Sequence, residues 1–142
     1  MPATPAHLMA NGTIRSSRFI RPDVSNDFKC LEATANAEIL GVAMEGTNYP
    51  PLSDLVSTSN AATQGQYMKY YGEGEVCLVE AGAAITRFDK VKADSVGRAV
   101  TIASSGTTLQ NIGARALQSA AAAGELILVQ VTPMRSERPA IV

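Results

Sequence analysis

The chain of 142 residues has no tryptophan, one histidine, two cysteines and seven aromatic side chains in all. Each shortage excludes something. A single histidine, His7, near an irregular N-terminus, leaves no ordered partner for a Ser-His-Asp triad or a Cys-His pair. Cys30 and Cys77 stand 47 positions apart and form no CxxC pair, so a His- or Cys-rich metal site is ruled out by count. Two buried free thiols are the simple reading, and a disulfide between them is left open. The acidic residues Glu73, Glu75, Asp89 and Asp94 lack calcium-loop spacing. Gly72-Glu73-Gly74 lacks the third glycine and following helix of a dinucleotide fingerprint, and no Walker A pattern occurs. No cofactor is expected, and the chain reads as a non-enzyme. Paired carboxylates stay open as a minor enzymatic alternative.

Charge and hydropathy are equally unremarked. The formal net charge is −1 and the pI about 5.8, so the strongly basic footprint of a nucleic-acid binder is missing. No apolar run approaches ~18 residues, the length of a membrane-spanning helix. The N-terminus lacks the charged start and apolar stretch of a signal peptide, so synthesis in a cytoplasm, with no export by that route, is expected. No direct nucleic-acid or membrane partner is expected.

What the sequence does contain is small apolar residues. Apolar types make up 46% and alanine alone accounts for 22 residues. That is enough for a core, but alanine buries little area per residue, so association between subunits is expected to contribute to stability.

Three regions follow from the pattern. Residues 1–27 read as an extended N-terminal arm. Pro2, Pro5 and Pro22 break helix, Asn11-Gly12 marks a turn, and Arg15, Arg18 and Arg21 recur every third residue. The arm is either a frayed terminus or a segment that orders on a partner, with those arginines reaching acidic groups or carbonyls. Residues 28–132 read as a β-rich domain. Ile39–Met44 is a short buried strand in which Gly41 marks a bulge or a close backbone approach. A helix over 32–40 competes with it on propensity. Pro50-Pro51 opens a long connection. In 66–72, QYMKYYG, Tyr67, Lys69 and Tyr71 share one strand face and Met68 and Tyr70 the other. This tyrosine density fits an interface as well as a half-buried strand.

Val76–Val79 reads as a strand buried on both faces. Ala93-Asp94-Ser95-Val96-Gly97 is a hairpin turn with Arg98–Ile102 as its return strand. Over 112–124 helix propensity competes with a strand followed by a turn, and the strand is preferred because Leu126–Val131, LILVQV, needs an antiparallel partner. Pro133 is expected to end that strand. Residues 133–142 are a polar tail in which Arg135 and Arg138 flank Glu137. The fold class is therefore mainly β, a small β-barrel or β-sandwich with an extended N-terminal arm and little helix.

The run from Glu75 to Val131, with VCLVEAG, DKVKAD, GRAVTIA and IGARALQSAAAAGELILVQV, resembles the capsid cement, or head decoration, proteins of tailed bacteriophages. The resemblance implies a compact β-barrel or sandwich on the outer surface of the capsid in the virion. It implies a major capsid protein as partner, a homotrimeric state and a shell stabilised by bridged subunits. Interface candidates are Arg15, Arg18 and Arg21 in the arm, Tyr67, Tyr70 and Tyr71, and Arg135 and Arg138. The alternative is a receptor- or carbohydrate-binding β-module in which the three tyrosines stack on sugar rings.

Overall fold

The computed structural model describes residues 8–44, 60–102 and 109–136. Among the described residues thirteen strands follow one another: β1 (Leu8–Ala10), β2 (Ile14–Arg15), β3 (Phe19–Pro22), β4 (Lys29–Glu32), β5 (Gly41–Ala43), β6 (Asn60–Ala62), β7 (Tyr67–Met68), β8 (Tyr70–Tyr71), β9 (Val76–Glu80), β10 (Lys90–Ala93), β11 (Ala99–Thr101), β12 (Gln110–Ala116) and β13 (Leu126–Ser136). The described residues contain no helix.

The first sheet runs β7-β1-β4-β3-β5-β8. Its two outermost members, β7 and β8, are successive pieces of one extended stretch, interrupted only at Lys69. That stretch pairs with β1 through Tyr67 and Met68 and with β5 through Tyr70 and Tyr71, so the sheet closes on itself. The Met44 amide donates to the Lys69 carbonyl at 3.2 Å and carries the ladder on past the end of β5. Closure removes the free edges that an open sheet of such short strands would present. The two-stranded β2–β6 pair lies beside it, with Ile14 opposite Ala62.

The second sheet runs β11-β10-β12-β13-β9. It nearly closes as well, because Ala81, just after β9, forms a parallel bridge with Ala99 of β11.

Two cores result. Inside the first barrel are Ala10, Ile14, Ile20, Cys30, Ala43, Ala61, Ala62 and Met68. The second core gathers the inward residues of β9 to β13 together with Phe19, Ala33, Ile39 and Val42 from the first barrel. Strands β3 and β5 thus form a common wall. Phe19 and Val42 face one core, and Ile20 and Ala43 face the other. The close approach of the barrels requires small residues. A Cβ on Gly113 would stand 2.9 Å from Cε1 of Phe19; within the first barrel, a Cβ on Gly41 would collide with the Tyr71 carbonyl of the neighbouring β8. The close backbone approach expected at Gly41 is therefore present.

Several expectations need correction. The segment read as an arm supplies β1, β2 and β3, and Ile14, Phe19 and Ile20 are completely buried. Its apolar residues lack a sustained period because the strands are two to four residues long, and because the shared wall buries both faces of β3. Val76–Val79 shows the opposite error, since only Cys77 and Val79 point inward. Pro133 does not end β13. Ala114 pairs with Val131 but Ile112 with Met134, so a bulge takes up Thr132 and Pro133, where no ladder donor is needed. The turn at Asp94–Gly97 and the strand over 112–116 occur where they were expected. Both cysteines are buried and free. Pro50-Pro51 lies outside the described residues.

Candidate interaction surface

The three arginines of the N-terminal segment do different things. Arg18 is 6% exposed and sits where the two barrels meet. Its Nη2 donates to Glu80 at the end of β9 (3.0 Å), and its Nη1 donates to the Val96 carbonyl in the β10–β11 turn (2.7 Å). Glu32 of β4 lies 3.8 Å away. Arg15 holds that same carboxylate through Nε and Nη2, at 3.0 and 3.2 Å, and the pairing pushes the Arg15 pKa up. Around them the Phe19 amide donates to the Gly97 carbonyl and the Glu80 amide to the Ser17 carbonyl, tying the start of β3 to the β10–β11 turn and to the end of β9. Arg15 and Arg18 therefore join the barrels. Arg21, on β3 opposite Leu31, is half-buried, with a buried Nε that meets no hydrogen-bond partner among the described residues.

The tyrosines also separate. Met68 and Tyr70 pack toward the first core, Tyr71 packs against the second, and Tyr67 remains 64% exposed. The alternation expected across 67–71 holds, but the second barrel covers one of its outward tyrosines. No three-tyrosine platform exists. Arg135 lies on β13 opposite Asn111, and Arg138 lies outside the described residues.

Among the described residues the exposed apolar side chains include Phe88, Leu109 and Met134 and two groups of neighbours. The first is the tip of the β3–β4 hairpin, where Val24 and Phe28 are almost fully exposed. Asp23 pins this tip. Its carboxylate accepts hydrogen bonds from the Ser25 amide and from the side-chain amides of Asn26 and Asn11, at 2.7–3.0 Å. The Ser25 and Asn26 contacts lead in holding the Asp23 carboxyl below its ordinary range. Phe28 adopts φ 59, a left-handed conformation that costs a bulky residue about 1–2 kcal/mol. Its carbonyl accepts from the Met9 amide, and Met9 pairs with Tyr67, so Tyr67 belongs to the same end of the barrel. A strained, exposed aromatic on a fixed loop is what a preorganised contact requires.

The second region lies on the outer face of β9 and β13, where Val76, Leu78, Leu126 and Leu128 are exposed between buried neighbours. Sequence reading missed both regions because it took Val76–Val79 as buried on both faces and Leu126–Val131 simply as a strand needing a partner, and placed Phe28 inside the β-rich domain. The signal was available in parity. Val76 and Leu78 share their face with Glu80, and Leu126 and Leu128 share theirs with Gln130.

The described residues contain no group of three or more His, Cys, Asp or Glu side chains able to hold a metal ion, and no helix among them is long and apolar enough to cross a membrane. Burial pushes the Cys30 thiol up to about 11. Burial, with the Glu75 charge, pushes Cys77 up to about 12. Neither thiol is poised as a nucleophile.

Against known proteins, no curated sequence matches the chain. A solved structure, that of the head fiber gp8.5 N base in bacteriophage phi29, superposes with a TM-score of 0.62 at 16% identity, covering 96% of both chains. At that identity the likeness establishes the fold. The family of structural cement proteins (E217 gp24/Pam3 gp6) matches residues 4–132. That match spans both barrels, including the N-terminal strands, so the chain belongs to the phage structural cement protein family and serves as a capsid cement, or decoration, protein.

Proposed function

We propose that the chain sits on the outer surface of a phage head and bridges neighbouring major capsid subunits as a homotrimer, reinforcing the shell against internal pressure. The observation that carries the attachment is the pinned apolar tip. Val24, Phe28 and Tyr67 present exposed side chains at one end of the first barrel, on a loop fixed by Asp23. A rigid aromatic anchor surrendering little conformational entropy is the type of residue that dominates binding energy at interfaces. Of the arginines singled out in the sequence, Arg135 and Arg138 are assigned to polar contacts with the same shell. Arg15 and Arg18 are not, because their guanidinium groups are engaged within the chain.

Head particles lacking this chain provide the test. Purified wild-type chain added back should cosediment with them to saturation, whereas Phe28→Asp should not, with an unchanged urea midpoint. Saturable binding of Phe28→Asp at wild-type affinity would remove the tip from the contact.

A further inference from the structure

The outer face of the second barrel is unevenly composed. On β9 and β13, Leu78 and Leu128 are direct cross-strand partners, flanked by Val76 and Leu126, and all four are between 37% and 53% exposed. A contiguous apolar face of this kind marks an interaction site. Strand β9 is also a partly open edge. The Glu80 amide points away from β13, to the Ser17 carbonyl, so the amides of Val76 and Leu78 point the same way. Among the described residues no backbone group meets them.

The charges beside this face are of opposite sign on its two sides. Glu73 and Glu75, both exposed, stand in the turn that leads into β9, where one Glu75 carboxylate oxygen accepts from the Gly72 amide. On the other side of β13 the same outer face carries Arg115, paired with Gln130, and Lys90, paired with Arg115, both exposed. The barrel wall therefore runs from acidic through apolar to basic. Arg and Lys stems can cover apolar surface while their charged ends pair with carboxylates.

We infer that this wall is self-complementary: the acidic and apolar β9 side of one copy docks on the basic β10–β12 side of a second copy, head to tail. The occupant is a second copy because both complementary halves are on one chain. A head-to-tail contact that closes by rotation gives a ring, and it would cover the open edge of β9. The inference rests on the proposed self-association and names its surface, which is separate from the Phe28 tip.

Analytical ultracentrifugation of the full chain at tens of micromolar tests it. The wild type is expected to sediment as an oligomer. Lys90→Glu with Arg115→Glu sets acid against acid and should weaken association more than ~100-fold, leaving a monomer. Adding Glu73→Lys and Glu75→Lys to that variant restores opposite charges across the contact and should restore the oligomer. Circular dichroism confirms that each variant is folded. A monomeric wild type overturns the inference, as does a double variant that stays assembled or a fourfold variant that does not reassemble. A monomeric wild type that still saturates heads overturns this inference and the trimer while leaving the attachment reading standing, and an oligomer that ignores heads overturns only the attachment reading.

Discussion

Replacing Arg18 by methionine should destabilise the fold severely while leaving the outer surface untouched. Arg18 is 6% exposed, and its removal strands two acceptors, Glu80 at 3.0 Å and the Val96 carbonyl at 2.7 Å, and takes a positive charge away from Glu32 at 3.8 Å. Breaking a buried ion pair from one side costs about 3–5 kcal/mol, because the partner charge remains without compensation. Two features place this site at the lower end. Glu32 keeps its bond pair with Arg15, and the Glu80 side chain is 27% exposed, so water recovers part of its solvation. The expected cost is about 3 kcal/mol. Removing Glu80 as well, in Arg18→Met with Glu80→Met, eliminates the stranded charge and should recover about half of that loss. Urea unfolding followed by far-UV circular dichroism measures both, since the chain has no tryptophan to report by fluorescence. An Arg18→Met variant within ~0.5 kcal/mol of wild type, the range of ordinary surface changes, would refute the placement of Arg18 between the barrels. So would a double variant no more stable than the single one.

Four further outcomes are expected. Phe19→Ala opens a cavity in the wall shared by the two cores and should cost about 3–5 kcal/mol by the same urea assay. Deleting residues 1–22 removes β1, β2 and β3 with Ile14, Phe19 and Ile20, so the remainder should show no cooperative unfolding transition. Phe28→Gly relieves the left-handed strain and should raise stability by about 1 kcal/mol while weakening attachment to heads, which separates fold from function at one residue. The buried thiols have folded pKa values raised from 9.0 to about 11 for Cys30 and about 12 for Cys77. Their neutral forms are favoured by folding, so the associated stability is complete below pH 9 and is lost as pH rises from there toward 12. Thiol reagents at pH 8 should label the native chain only after urea unfolds it.

How much of this was legible in the sequence depended on how local the cause was. The Asp94–Gly97 turn is written in four consecutive residues: the Asp94 side chain accepts from the Val96 and Arg98 amides, and Gly97 takes φ 80. The mainly β character and the strand at 126–131 were equally plain. The alanine-rich stretch after Arg115 carries helix propensity, yet Ala116 and Ala120 are drawn into backbone bonds with Asp89 and Ile85, and tertiary pairing overrides the local preference. The N-terminal segment failed for a non-local reason. Arg18 looks like a solvated arginine until Glu80, 62 positions away, is brought beside it. Phe19 and Ile20, adjacent and both buried, break the alternation of a one-sided strand because each faces a different core. Of the side chains assigned to the proposed surface, Tyr67 was also singled out in the sequence, and it is exposed. Val24, Phe28 and the Leu78–Leu128 pair were missed, because apolar type alone does not distinguish an inward residue from an exposed contact.

The cement role itself is tested most directly by counting the chain in purified heads, by quantitative mass spectrometry against the major capsid protein. A fixed ratio is expected, reproducible between preparations and extending over the shell, with heads that lack the chain releasing DNA at a lower temperature than complete ones. Heads that contain none of it, or only the few copies that a single vertex could hold, would contradict the account.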